Sequence, residues 1–212
     1  MKKTAYIVAG ALALGLLSSC GSETTKSEST TTEKVEQKET KNVEAKTLQI
    51  DNEQSKVKWS GGIVGGGYGH YGTINISEGA LDVAEGKIVG GNITIDMKTI
   101  TPTDESYGDG KTPEMLVGHL SDGDFFLVSE HPTASYKIKS TDEKSVTGDL
   151  TIRGITKEYT TELSSIEVTD EMAKVSGKLV FNRQDFEVSY ESTMKDVTIS
   201  NDIELEINLS TK

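Results

Sequence analysis

The chain has 212 residues, enough for one domain with a substantial core. Its 34 acidic against 22 basic residues give a net charge of -12, which argues against a nucleic-acid partner, because phosphate binding requires a basic face. Apolar residues make up only 34%, so part of the chain lies outside a core, and the single cysteine excludes an internal disulfide.

The N-terminus opens with the basic Met1-Lys2-Lys3, followed by an apolar run from Ala5 to Leu17. The run is shorter than the ~20 residues a transmembrane helix needs, and it fits a secretory signal peptide over residues 1–19. Leu17-Ser18-Ser19-Cys20 resembles a bacterial lipobox, in which the cysteine sulfur receives a diacylglycerol and the residue becomes the new N-terminus. The expectation is a lipoprotein anchored through Cys20 to the cell-envelope membrane, at the outer membrane or the periplasmic face. One acyl chain binds a bilayer only marginally, whereas two or three hold firmly, at ~0.8 kcal/mol per buried methylene. Residues 21–47 are rich in Ser, Thr, Glu and Lys, with no aromatic residue and no apolar period. With Cys20 they read as a flexible tether, because such a segment cannot bury enough apolar surface to offset chain entropy. A helix in part of VEQKETKNVEAK is the alternative for that stretch. The folded domain is expected over residues 48–212.

From Leu48 onward the dominant period is two. Val57, Trp59 and Ile63 share parity, and His70 shares it with Ile74 and Ile76. Between them, Gly67-Tyr68-Gly69-His70-Tyr71-Gly72 spells G-x-G-x-x-G. A dinucleotide loop needs a helix immediately after it, but here the chain continues as an alternating strand, so the glycines are read as permitting a bend, a bulge or a close backbone approach. Further along, Ile93, Ile95 and Met97 alternate with Thr94, Asp96 and Lys98. Residues 101–132 break the alternation. Thr112-Pro113 looks like a helix N-cap with proline in the first turn, and Met115, Leu116, His119 and Leu120 recur at helical spacing, which predicts a short helix from about Pro113 to Leu120. Strand patterns resume with Tyr136 and Ile138, Leu150 and Ile152, Val175 to Phe181, and Ile203 to Leu209. Turn signals fall at Glu85-Gly86, Ser140 to Lys144, Thr169 to Glu171 and Asn201-Asp202. The domain is therefore expected to be all-β and antiparallel, with about eight strands and one helical insertion. Closure into a barrel removes exposed edges and is favoured over a two-sheet sandwich.

Several stretches resemble the YceI-like family. They are Trp59 to Gly61, His70 to Ile74, Ile95-Asp96-Met97, His119-Leu120 with Asp124-Phe125-Phe126, His131 to Ala134, and Asn182 to Phe186. The most specific is Gly148-Asp149-Leu150-Thr151-Ile152-Arg153-Gly154-Ile155-Thr156-Lys157. The resemblance implies an eight-stranded, lipocalin-like antiparallel barrel around an elongated apolar cavity. It implies ligands of the polyisoprenoid, isoprenoid-quinone or related long-chain amphiphile class, and no established enzymatic mechanism.

No cofactor or metal site is read from the residues. His70, His119 and His131 are assigned to a strand, a helix and a loop; structural or hydrogen-bonding roles are expected for them, and whether the fold brings them together as zinc ligands does not follow from their spacing. There is no G-x-S-x-G, and no cysteine remains after lipidation, so hydrolytic catalysis has no nucleophile signature. Asp124-Phe125-Phe126 reads equally as a lid contact to ligand or a packed loop anchor, and Arg183 and Asp185 are candidates for a structural pair. The expected cavity-lining, ligand-binding residues are Trp59, His70, Ile95, Met97, Phe126, Tyr136, Ile152 and Phe181, with His70 offering a polar contact at the ligand head. Neither the oligomeric state nor the ligand's identity follows from the residues.

Overall fold

The computed structural model describes residues 44–212. Cys20, the signal peptide and most of the tether lie outside the described residues. The strands are β1 (Lys46–Gln49), β2 (Lys56–Gly62), β3 (Gly69–Ala84), β4 (Lys87–Pro102), β5 (Thr133–Thr141), β6 (Ser145–Ile152), β7 (Ile155–Val168), β8 (Ala173–Asn182) and β9 (Asp202–Ser210). Every pairing is antiparallel. The strands follow the order β2-β9-β8-β7-β6-β5-β4-β3, and β3 returns to β2, so the sheet closes. β1 pairs with the second half of β3 and β2 with the first, so these two short strands share one position in an eight-stranded barrel.

The folded chain begins slightly earlier than the residue pattern suggests. Lys46 and Thr47, expected in the tether, pair with Val83 and Asp82, and the Thr47 hydroxyl donates to Asp82 at 2.6 Å. Backbone pairing recruits these polar residues although they bury nothing.

Closure draws on two local devices. The β3–β4 register slips near Thr73, Ile76 and Asp82, and such irregularities let a strand bend and twist around a barrel. Two-residue turns in the left-handed region join β3 to β4 at Glu85-Gly86 (φ 51° and 68°) and β6 to β7 at Arg153-Gly154 (φ 52° and 74°), the turn hand that matches strand twist. The second turn is hidden in sequence inside the Leu150 to Lys157 run.

Antiparallel order places the ends of Gly62, Gly69, Pro102, Thr133, Ile152, Ile155, Asn182 and Asp202 at one end of the barrel. All the long connections lie there. The opposite end carries only short turns, at 85–86, 142–144 and 169–172, and Leu48, Leu81, Val83 and Ala173 are buried near it. α1 (Pro113–Ser121) sits in the β4–β5 connection. Its start follows from the residues: the Thr112 hydroxyl accepts from the Met115 amide at 3.3 Å, and proline occupies the first turn.

After β8 a 3-10 helix, Arg183–Phe186, turns the chain back under the barrel wall. Phe186 is fully buried, with its ring 5.9 Å from Tyr159 and 5.6 Å from Phe181. Arg183 and Asp185 do not pair. The Arg183 guanidinium donates to the carbonyls of Val188 and Ser200, while the Asp185 carboxylate accepts from the Tyr159 hydroxyl at 2.6 Å. The tight 3-10 turn sends the two side chains to opposite sides, a separation that two-residue spacing cannot reveal.

Candidate functional site

The inward faces of the strands do not meet. They enclose a cavity of about 640 Å3 that runs from Leu81 and Val175 near the sealed end to Met115, Tyr190 and Met194 at the open end. That volume lies in the range of small-molecule sites, roughly 300–1,000 Å3. The wall is almost wholly apolar because period-two alternation on every strand turns the same face inward.

All eight residues expected to line a cavity stand on its wall. Trp59 on β2 donates its indole N–H to the Thr73 carbonyl at 3.2 Å, which fixes the ring against β3. Ile95 and Met97 come from β4, Ile152 from the end of β6 and Phe181 from β8. Tyr136 on β5 is held by its hydroxyl, which lies 2.9 Å from the carbonyls of both Val146 and Tyr159. Its ring occupies the space over Gly148, where a Cβ would sit 2.8 Å from the ring and 2.5 Å from the Lys137 carbonyl. Phe126 follows α1 and shares the wall with Phe125, whose carbonyl accepts from Arg153 at 2.6 Å. The Asp124-Phe125-Phe126 segment is thus both a packed anchor and part of the cavity wall.

The open end concentrates the polar groups. His70, at the start of β3, has Nδ1 3.0 Å from Asp104 and Nε2 2.9 Å from the Tyr68 hydroxyl, and its ring stacks on Tyr107 at 5.2 Å. Asp104 is only 6% exposed. Burial works against its charge. Hydrogen bonds from His70, the Ser106 amide and the Tyr71 amide, with the nearby imidazole, outweigh burial and hold the carboxyl below the ordinary carboxylate range. An ionised Asp104 only accepts, so His70 presents Nδ1–H to it, with Nε2 facing the Tyr68 hydroxyl. Asp104 therefore sets the orientation of the imidazole at the cavity mouth.

Tyr68, Tyr107 and Asp104 carried no signal in the sequence. Asp104 is 34 residues from His70, and only the β3–β4 pairing of Gly72 with Pro102 brings them together. The glycines around them have separate duties. Gly65, Gly66 and Gly67 all have positive φ in the β2–β3 loop, and a Cβ on Gly72 would fall 2.1 Å from the Thr101 carbonyl. They form a loop and a close strand contact, with no helix following.

The histidines take three separate environments. His119 on α1 packs edge-on against Phe125 and Tyr190, with ring centres at 4.8 and 4.4 Å. His131 lies against Gly154, away from the cavity wall. Among the described residues no three His, Cys, Asp or Glu side chains gather as metal ligands would.

Comparison with known proteins agrees with this geometry. UPF0312 proteins of Staphylococcus aureus, strains N315 and Mu50, are each 31% identical over 96 residues, covering 42% of this chain and 56% of theirs. The match therefore spans about half the length of those relatives. The crystal structure of Burkholderia cenocepacia BcnA superposes with a TM-score of 0.52 at 19% identity, over 77% of this chain and 99% of that one, and shares the fold. Residues 48–211 match the YceI-like domain, and the chain belongs to the YceI-like family.

Proposed function

We propose that this protein binds a polyisoprenoid, an isoprenoid quinone or a similar long-chain amphiphile inside the barrel, and does so from the envelope membrane to which lipidated Cys20 ties it. The observation that carries the binding reading is the cavity itself: about 640 Å3 of largely apolar-walled space, with its basic groups gathered at one end. Such a site matches a molecule with one long apolar part and one polar end. Burying the chain contributes roughly 25 cal/mol per Å2, which needs no charged partner along the wall. Tyr68, Met115 and Met194 line the cavity and are exposed at its mouth, offering an apolar approach for an entering chain. The envelope location rests on the residues before the barrel: the signal-like run, the lipobox-like Leu17 to Cys20 and the polar tether.

The test is solvent extraction of the purified protein followed by mass spectrometry. A co-purifying prenyl lipid in near-stoichiometric amount is expected. Extraction of no lipid, together with failure of the emptied protein to take up a prenyl alcohol or quinone, overturns the reading in favour of a ligand-free interaction module.

A further inference from the structure

Among the described residues the cavity wall carries no aspartate or glutamate, although the chain has 34 acidic residues. Its basic side chains are Lys111, Arg183, His70 and His119. All four lie at the open end: Lys111 and His119 in the β4–β5 connection, Arg183 just past β8, and His70 at the start of β3. Lys111 and Arg183 are the cations there, His70 being bonded to the ionised Asp104, and a low-dielectric wall strengthens their field inside it.

Arg183 is the most demanding of the four. It is 3% exposed. Nη1 donates to the Val188 carbonyl at 2.7 Å and Nε to the Ser200 carbonyl at 3.2 Å. Nη2 has no hydrogen-bond partner among the described residues, and no described carboxylate forms an ion pair with the guanidinium. Burial holds its pKa below the ordinary arginine value, with Glu191 opposing the shift. Glu191 shares with Arg183 a second recess and is absent from the main cavity wall. A buried cation that Glu191 offsets without forming an ion pair remains costly. Arginine is also the side chain whose fork best matches carboxylate and phosphate oxygens. The other basic group near the mouth, His70, is already committed to Asp104.

We propose that the cavity's ligand carries an anionic head, a carboxylate or a phosphate monoester on a long apolar chain, and that Arg183 is its counter-ion, with Lys111 at the rim. This rests on the amphiphile reading above and narrows it to acidic lipids. The apolar chain fills the barrel, and the head meets Arg183 as it reaches the mouth.

The test uses the full chain, emptied of lipid, and two matched probe pairs: cis-parinaric acid against its methyl ester, and geranylgeranyl phosphate against geranylgeraniol. Each pair keeps the chain and removes the charge. The acidic member of at least one pair should bind more tightly by about tenfold, the scale of one charge-assisted hydrogen bond. Which pair shows it identifies carboxylate or phosphate. In Arg183→Gln the preference should vanish while the neutral probe binds as before. Because Arg183 also holds two loop carbonyls, that variant can lose the loop, and the exposed Lys111→Gln serves as the second probe. It should weaken acid binding by roughly two- to threefold, as expected for a surface charge, and leave the neutral probe unchanged. Equal binding of acid and neutral probes by the unaltered protein overturns the inference and leaves the amphiphile reading standing. Unaltered acid preference in both variants overturns the assignment to Arg183 and Lys111. If none of the four probes binds, the amphiphile reading falls and this inference with it.

Discussion

Ile152→Trp distinguishes an open cavity from a filled core. Ile152 is buried at the end of β6, with its side chain on the cavity wall. The tryptophan side chain carries six more heavy atoms than that of isoleucine and stays largely apolar. In a close-packed interior that excess costs about 1–3 kcal/mol, a fall in Tm of roughly 2–12 °C for a domain of this size. Inside about 640 Å3 of free space the ring has room, so the melting temperature of lipid-free protein should move by less than about 2 °C. The ligand loses what the ring takes. If three chain carbons are displaced, at about 0.8 kcal/mol each, affinity falls by roughly 2.4 kcal/mol, about fifty-fold. The assay pairs differential scanning calorimetry of emptied protein with titration of a fluorescent prenyl or acyl probe. A Tm loss of several degrees with probe affinity unchanged would refute the reasoning, because it would show a packed site where the structure has space.

Asp104→Asn replaces a sealed acceptor with an amide whose NH2 cannot accept from the backbone amides of Tyr71 and Ser106; thermal unfolding should show a loss of about 1–3 kcal/mol. Because the folded Asp104 carboxyl lies below its ordinary value, its contribution is present above about pH 4 and lost as pH falls through the folded value. The variant's stability–pH curve should be flatter on the acid side, and an unchanged acid limb would count against this network. Burial raises the Tyr136 phenol above its ordinary value, so its contribution is present below about pH 10 and fades as pH rises through the folded value; Tyr136→Phe should lose about 1 kcal/mol at neutral pH and show a shallower decline in alkaline melts. Gly148→Ala places a methyl 2.8 Å from the Tyr136 ring and 2.5 Å from the Lys137 carbonyl, and should destabilise the barrel by about 1–3 kcal/mol in denaturant titration. Cys20→Ser should shift the protein from the membrane pellet to the soluble fraction after carbonate washing; a variant that stays in the pellet would remove the basis for lipid anchoring.

The strands were legible from residue type alone because a half-buried strand imposes a period of two, and β6, β8 and β9 obey it almost without exception. The short helix was legible because Thr112 and Pro113 satisfy the chemistry of a helix start. The same alternation marked one apolar face on each strand, and Trp59, His70, Ile95, Met97, Tyr136, Ile152 and Phe181 stand on the cavity wall. That the inward faces stop short of one another is a property of strand number, tilt and register together, so no local stretch encodes the empty space. The mouth is likewise a product of assembly. His70 meets Asp104 across 34 residues only because β3 and β4 pair there, and Asp104 sits in a loop where nothing in its neighbours marks it as buried. Arg183 and Asp185 looked like partners by spacing, yet the 3-10 turn separated them and left Arg183 on the cavity wall. Alternation is written in adjacent residues, whereas closure, cavity and the company a charge keeps depend on contacts between distant ones.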